Sequence, residues 1–348
     1  MGDAELETTN DDPLEAIDYC FDQGWTDGLP VIPPEESRVE KMLAMEGRPR
    51  ETVIATHPAT SLDLTIKGAA VNAVMAGCLP EYFPIVVAAF EAMAKEPFNF
   101  HASTASTGGS APLLVVSGPI VNEIGMNSGA NLFGPGNRAN ATIGRAVRLI
   151  IMNIFRMTPG IADKSTQGNP GKYSFCIAER AEKNPWSNLN EELGYPSEIS
   201  SVTVFAGGGF VNVENHGGNT AEAILETIAD AMANSGCISL GQSAVILAPE
   251  HAEIISRSEI SKDEVKSFLF EHATRSEEKM KRTGKYNKRE FKIQGKPQFH
   301  RGLSASDILL VVGGATLGAI LLLFHHGAGR EHLLCKARQS ESALTVES

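Results

Sequence analysis

Three stretches of the chain repeat one pattern of polar and apolar positions: residues 110–119 ("SAPLLVVSGP"), 243–251 ("SAVILAPEH") and 307–315 ("DILLVVGGA"). Each opens on a polar residue, runs through a short aliphatic stretch and ends in small or turn-forming residues. Aliphatic runs without polar alternation predict strands covered on both faces. The first two follow helical patterns (85–95 and 220–234) and Gly/Ser loops, and each leads into a helix-like segment, "IVNEI" or "AEIIS". A repeated helix, loop and buried strand predicts an α/β fold: mixed or parallel sheets covered by helices, in two related halves. Identity between the runs is low, so chance likeness of αβ units competes with true repetition.

Elsewhere, residues 12–23 and 35–45 read as short helices. The segment between them, "GWTDGLPVIPP", is extended and turn-rich, because prolines fix their own φ and push preceding residues out of the helical region. "TVIATHP" reads as a strand ending at His57, and residues 69–75 as a short apolar stretch. Pro80 introduces a helix over 81–95, where Phe83, Val86, Val87, Phe90 and Met93 keep near-helical spacing. The strongest helical pattern is 137–155, "NRANATIGRAVRLIIMNIF", despite Gly144. Four regions follow: a helical and extended arm (1–45), a first α/β half (46–190), a second (191–315) and a C-terminal tail (316–348). The uncharged run 308–324 falls short of the ~20 apolar residues of a spanning helix. It is expected to form a buried strand, a glycine turn and the start of a buried helix, with no membrane partner.

Composition narrows the partners. Among 348 residues, 42% are hydrophobic and 21% charged, as in a globular protein with a substantial core. A formal charge of -12 argues against nucleic acid, which requires clustered Lys and Arg. The richest basic stretch, 279–296, lacks apolar periodicity and reads as a solvated excursion. Five widely spaced cysteines without a C-x-x-C pair fit a reducing cytoplasm. The acidic beginning of the chain has no apolar core of a secretory signal.

Candidate chemistry falls in four places. The glycine loop ahead of the strongest helix carries Gly134 and Gly136, with Arg138 and Asn140 beyond; unpaired N–H groups and a helix dipole there suit a phosphate or carboxylate. An ordinary tight connection with glycines at positive φ is the competing reading. "DKSTQGNPGKYSF" presents Lys164, Gln167 and Lys172 from a turn that either clamps an anion or is a plain surface hairpin. His216 sits in a Gly-rich turn before a helix, and His57 and His101 near strand or loop ends. Each is a candidate general base, but no short metal-ligand spacing occurs, so no metal site is assigned. Cys78, between Gly77 and a helix expected from Pro80, is placed where a helix N-terminus lowers a thiol's pKa, although Glu81 works against this. Cys237 occupies the equivalent loop of the other half. Burial as an inert small hydrophobe is the alternative for both.

"WTDGLPVIPP", "AVNAVMAGCLPEYFP", "FGPGNRANATIGRA" and "STQGNPGKYSFCIAE" together resemble a functionally uncharacterised bacterial family, over roughly residues 18–312. The resemblance implies an association with small UGSC-type (seleno)proteins carrying a redox Cys or Sec. This chain has no such motif, so that centre would come from a partner. The resemblance supplies no activity, but favours thiol-related chemistry.

The expected function is a cytoplasmic enzyme acting on a small polar or anionic substrate. Cys78 is the expected nucleophile or redox thiol, His216 a general base, and Lys164 or Lys172 charge stabilisers. Gly134, Gly136, Arg138, Asn140 and Gln167 complete the substrate contacts. Hydrolytic, lyase and thiol-dependent reductive reactions all remain open, as do cofactors and homo-oligomerisation. Two other readings compete: a non-catalytic binding subunit of a multi-protein redox enzyme, partnered by a small redox (seleno)protein, and a metal-dependent hydrolase using His57, His101 or His216.

Overall fold

A computed structural model describes residues 12–234, 241–284, 291–293, 296–316, 320–324 and 333–336. The arm holds helices α1 (Pro13–Asp22) and α2 (Glu36–Ala44), followed by the antiparallel pair β1 (Val53–Thr56) and β2 (Asp63–Thr65). Helices α3 (Ile66–Ala76), α4 (Phe83–Met93) and α5 (Phe100–Ala105) lead to strand β3 (Ala111–Ser117). After α6 (Ile120–Glu123) and α7 (Arg138–Asn153) come β4 (Cys176–Ala178), α8 (Leu189–Glu192) and β5 (Ser201–Gly207). Then follow β6 (Phe210–Val213), α9 (Ala221–Asn234), β7 (Ser243–Leu247), α10 (Pro249–Arg257) and α11 (Lys262–His272). The chain continues through β8 (Arg275–Ser276), α12 (Glu277–Arg282), β9 (Phe291–Ile293) and β10 (Lys296–Phe299). Strands β11 (Ile308–Val312), β12 (Ile320–Phe324) and β13 (Leu333–Lys336) close it.

Two four-stranded sheets carry the architecture, in the orders β13-β5-β3-β4 and β11-β7-β12-β6. The period-2 alternation of strand side chains sorts their residues between separate cores. Leu114, Val116, Val202 and Val204 face one core with α3, α4 and α7. Leu113, Val115 and Phe205 face the opposite way and meet Ala244, Ile246, Leu309 and Val311 of the other sheet. Val245, Leu247, Leu310 and Val312 then turn to the helical layer of α9, α10 and α11. The layers therefore run helices, sheet, sheet, helices. Both faces of β3, β5 and β7 are buried, which is why the aliphatic runs of β3 and β7 lack polar positions.

The two sheets share a pairing pattern. β3 is parallel to β4 and antiparallel to β5, which is antiparallel to β13. β7 is parallel to β11 and antiparallel to β12, which is antiparallel to β6. Of the three stretches aligned from sequence, β3 and β7 lie inside their sheets and β11 lies at an edge beside β7.

One expectation is corrected: residues 320–324 form a strand between β7 and β6 instead of a helix start. The first sheet draws strands from both sides of the 190/191 boundary, since β5 pairs with β3 along its whole length and with residues 333–336. From the arm, Cys20, Trp25, Val31, Val39 and Met42 join the first helical core. Among the described residues, no helix is long and apolar enough to cross a membrane.

Helix α7 and the arm are locked together in a way that positions both cavities discussed below. Arg145 donates to Asp27 through Nε (2.9 Å) and Nη2 (2.8 Å), and Nη2 also reaches the Pro30 carbonyl at 2.9 Å. The "TDGLP" turn is thus a carboxylate fork for a helix arginine. Gly144 has a packing reason: a Cβ there would lie 2.6 Å from the Phe175 nitrogen, so only glycine lets the 174–176 segment approach the helix.

Candidate functional site

A cavity of ≈ 510 Å³ opens between α7, the "TDGLP" turn and the 159–173 loop, and Gln167 and Lys172 both line it. Its floor is a charged network centred on Asp163, which is 4% exposed. Lys172 Nζ donates to Asp163 Oδ2 at 2.6 Å and to Ser165 Oγ at 2.5 Å. Ser165 Oγ donates in turn to Asp163 Oδ1 at 2.5 Å, and the Ser165 N–H donates to the same oxygen at 3.2 Å. Arg148, only 8% exposed, adds one Nη2 bond to Asp163 Oδ2 at 3.3 Å.

The loop's own chemistry builds this geometry. Asn169 Oδ1 accepts the Gly171 N–H at 2.7 Å and starts the tight turn that carries Lys172. Asn169 Nδ2 donates to the carbonyls of Gly109 (3.2 Å) and Gly207 (3.1 Å), pinning the loop beside the beginning of β3 and the end of β5. The cavity therefore borders the amino ends of β3 and β4. Open parallel sheets hold their ligands at the carboxyl ends of their strands; this cavity lies at the opposite end of β3 and β4.

Electrostatics follow from burial. Burial pushes the Lys172 ammonium below the ordinary lysine range, and the neighbouring Arg148 adds to this, against the pull of Asp163. Burial works to raise the Asp163 carboxyl, but hydrogen bonds from Lys172 and Ser165 outweigh it and hold the group below its usual value. Arg148 has five N–H donors and spends one on Asp163. A buried guanidinium lining a cavity with donors to spare favours an anionic group there.

A second cavity, ≈ 310 Å³, lies at the other end of α7, lined by Cys78, Arg138, Arg38, Lys41 and Glu35 among others. Cys78 stands between two helical segments, just after the end of α3 and two residues before the 3₁₀ turn Pro80–Tyr82 that leads into α4. Gly77 (φ +91°) ends α3 in the left-handed conformation, and the Cys78 N–H caps the Ala73 carbonyl at 3.0 Å. This is a helix C-terminus, whose dipole disfavours a thiolate. Burial pushes the thiol up to about 12, with Thr142 and Arg138 opposing. Cys78 is thus protonated at neutral pH, and the expected low-pKa thiol is not found.

The other sequence candidates scatter. Asn137 Oδ1 caps the Asn140 N–H at 3.1 Å, so the start of α7 is closed by its own chain. The Asn140 side chain bonds the Asn127 N–H and carbonyl, both at 2.9 Å, and staples the preceding loop. Gly136 (φ +120°) serves that loop's turn; Gly134 and Gly136 line neither cavity. Arg138 leaves the loop and donates through Nε to the Gly77 carbonyl at 3.1 Å. Lys164 is exposed, with Nζ on the Gly160 carbonyl at 3.0 Å, and does not line the cavity. His216 is exposed on the turn after β6 and lines neither cavity.

His57 is buried against Phe100 and Phe155. Its Nδ1 accepts from the Thr60 N–H at 3.3 Å and its Nε2 lies 3.3 Å from Thr104 Oγ1. Burial, with His101 nearby, lowers its pKa to about 4, so it is a neutral core histidine. Among the described residues no group of three or more His, Cys, Asp or Glu could hold a metal. Cys237 lies outside the described residues.

Sequence reasoning missed Asp163, Ser165, Arg148 and Asp27. Only Arg148 left a usable signal: an arginine between Val147 and Leu149, on the apolar side of an amphipathic helix, needs a buried partner. Comparison of the chain with protein-family models, curated proteins and solved structures returns no match.

Proposed function

We propose that the protein is a hydrolase of small anionic acyl compounds, with Ser165 as nucleophile and Lys172 as general base. The observation that carries this reading is the Ser165 hydroxyl held at 2.5 Å from both Lys172 Nζ and Asp163 Oδ1, at the wall of a cavity that also offers Arg148. A serine hydroxyl is a weak nucleophile until a base takes its proton. Lys172 suits that task because burial makes its neutral form more accessible. Neutral Nζ accepts the Ser165 proton as Oγ bonds to the acyl carbon, and Asp163 holds the resulting ammonium. The ammonium then protonates the leaving group as its bond to carbon breaks, and water cleaves the acyl-serine. Arg148 receives the substrate's carboxylate or phosphate, and Gln167 at the rim adds an amide contact.

This keeps the expected small polar or anionic substrate and moves the chemistry from thiol to hydroxyl. A panel of p-nitrophenyl monoesters of short dicarboxylic acids tests it. Saturable turnover that needs Ser165 and Lys172 supports the reading. Turnover that survives Ser165→Ala removes the nucleophile.

A further inference from the structure

The cavity at the Cys78 end of α7 is unlike the rest of this acidic molecule. Arg38, Lys41 and Arg138 line it, and Glu35 is its one carboxylate, in a chain of formal charge -12. Glu35 answers only Arg38, at 3.4 Å. Lys41 and Arg138 make no ion pair among the described residues; the one Arg138 bond is to the Gly77 carbonyl, a neutral acceptor. Two positive charges are therefore uncompensated at one concave place, where low-dielectric walls concentrate their field. Arginine's planar fork matches an oxyanion, lysine adds a point charge and Ser37 a hydroxyl. The rest of the lining is apolar: Ile32, Met42, Val74, Leu79 and Pro80, with the protonated Cys78 thiol among them. A bare ion would leave that apolar surface unused, whereas an organic dianion uses both kinds of lining. At ≈ 310 Å³ the space suits a small metabolite.

We propose that this cavity binds a small organic dianion, an apolar body carrying a phosphate or paired carboxylates, at a site separate from the Ser165 cavity. The charged end lies between Lys41 and Arg138, and the apolar end covers Cys78 and Val74. The two charge clusters differ in kind: the Ser165 network holds a buried carboxylate between its two cations, whereas here the one carboxylate, Glu35, pairs with Arg38 and leaves Lys41 and Arg138 without an ionic partner among the described residues.

Calorimetric titration with phenyl phosphate and with phenylsuccinate, at constant ionic strength set by chloride, separates the two sources of dianion. The expected result is saturable binding of at least one probe, stronger than that of inorganic phosphate. Binding is expected to weaken about tenfold in Lys41→Gln and further in the Arg138→Gln, Lys41→Gln double variant. Lys41 is exposed, so its substitution is safe for the fold even if loss of the Arg138 contact to Gly77 is not; thermal unfolding of each variant checks this. Preference for phenyl phosphate assigns a phosphate ester and preference for phenylsuccinate a dicarboxylate. Absence of saturation by both probes up to ~10 mM, or affinity unchanged in Lys41→Gln and in the double variant, overturns the proposal.

Discussion

The two ends of α7 treat their arginines in opposite ways. Arg148 is buried and answered by Asp163, which also holds Lys172 and Ser165. Arg138 opens onto a cavity whose single acid is engaged elsewhere. The difference is one of solvent. A charge taken out of water must be paired or it destabilises the fold, so the Asp163 network is built into folding itself. A cation at the mouth of a cavity keeps its hydration and can wait for a ligand. One end thereby suits the proposed chemistry, and the other the proposed recognition.

Substitutions at the first end should have the largest effects. Ser165→Ala is expected to lower turnover of the dicarboxylate monoesters by about 10³-fold or more in protein that still melts cooperatively, with a midpoint lowered by the lost bonds to Asp163 and Lys172. Steady-state kinetics beside a melting curve checks both halves of that statement. The pH profile belongs to the same test. The active form has Lys172 neutral, so the rate should rise with pH, with an apparent pKa below the ordinary lysine value of about 10.4.

Cys78 gives a contrast of similar size. Its thiol, pushed up to about 12, should be alkylated by iodoacetamide about 10³-fold more slowly at pH 8 than an exposed cysteine. Peptide mass spectrometry on native and unfolded protein reads this directly. Fast native alkylation would show a thiolate that the buried environment forbids.

Asp163→Asn tests the folding half of the comparison. It leaves Lys172 and Arg148 buried without their carboxylate and should cost about 3–5 kcal/mol in urea denaturation. At the other end, Arg38→Gln removes an exposed pair with Glu35 and should change stability by no more than ~0.5 kcal/mol. Equal costs at the two ends would dissolve the distinction.

Much of the architecture was legible because burial writes itself into composition. The runs that became β3, β7 and β11 are aliphatic throughout, and Asn137 with the pattern behind it fixed the start of α7. Partnership was not legible. Nothing in residues 201–207 says that they pair with β3 across more than eighty residues of intervening chain, which is why a boundary seemed natural before them. The site was half legible for the same reason. Lys172 and Gln167 stood out as turn-borne polar residues, but Asp163 and Ser165 acquire meaning only when the Asn169 turn folds Lys172 back over them. Gly77 shows how one local signal can serve two elements: its positive φ ends α3, the chain turns helical again at Pro80, and Cys78 lies buried between them.

The most direct measurement is labelling of the native protein with a fluorophosphonate, followed by peptide mass spectrometry. The expected result is phosphonylation of Ser165, faster at higher pH, and its loss in Lys172→Met protein that still melts cooperatively. Ser165 left unmodified while other serines react, or labelled equally well without Lys172, would contradict an activated serine at this site.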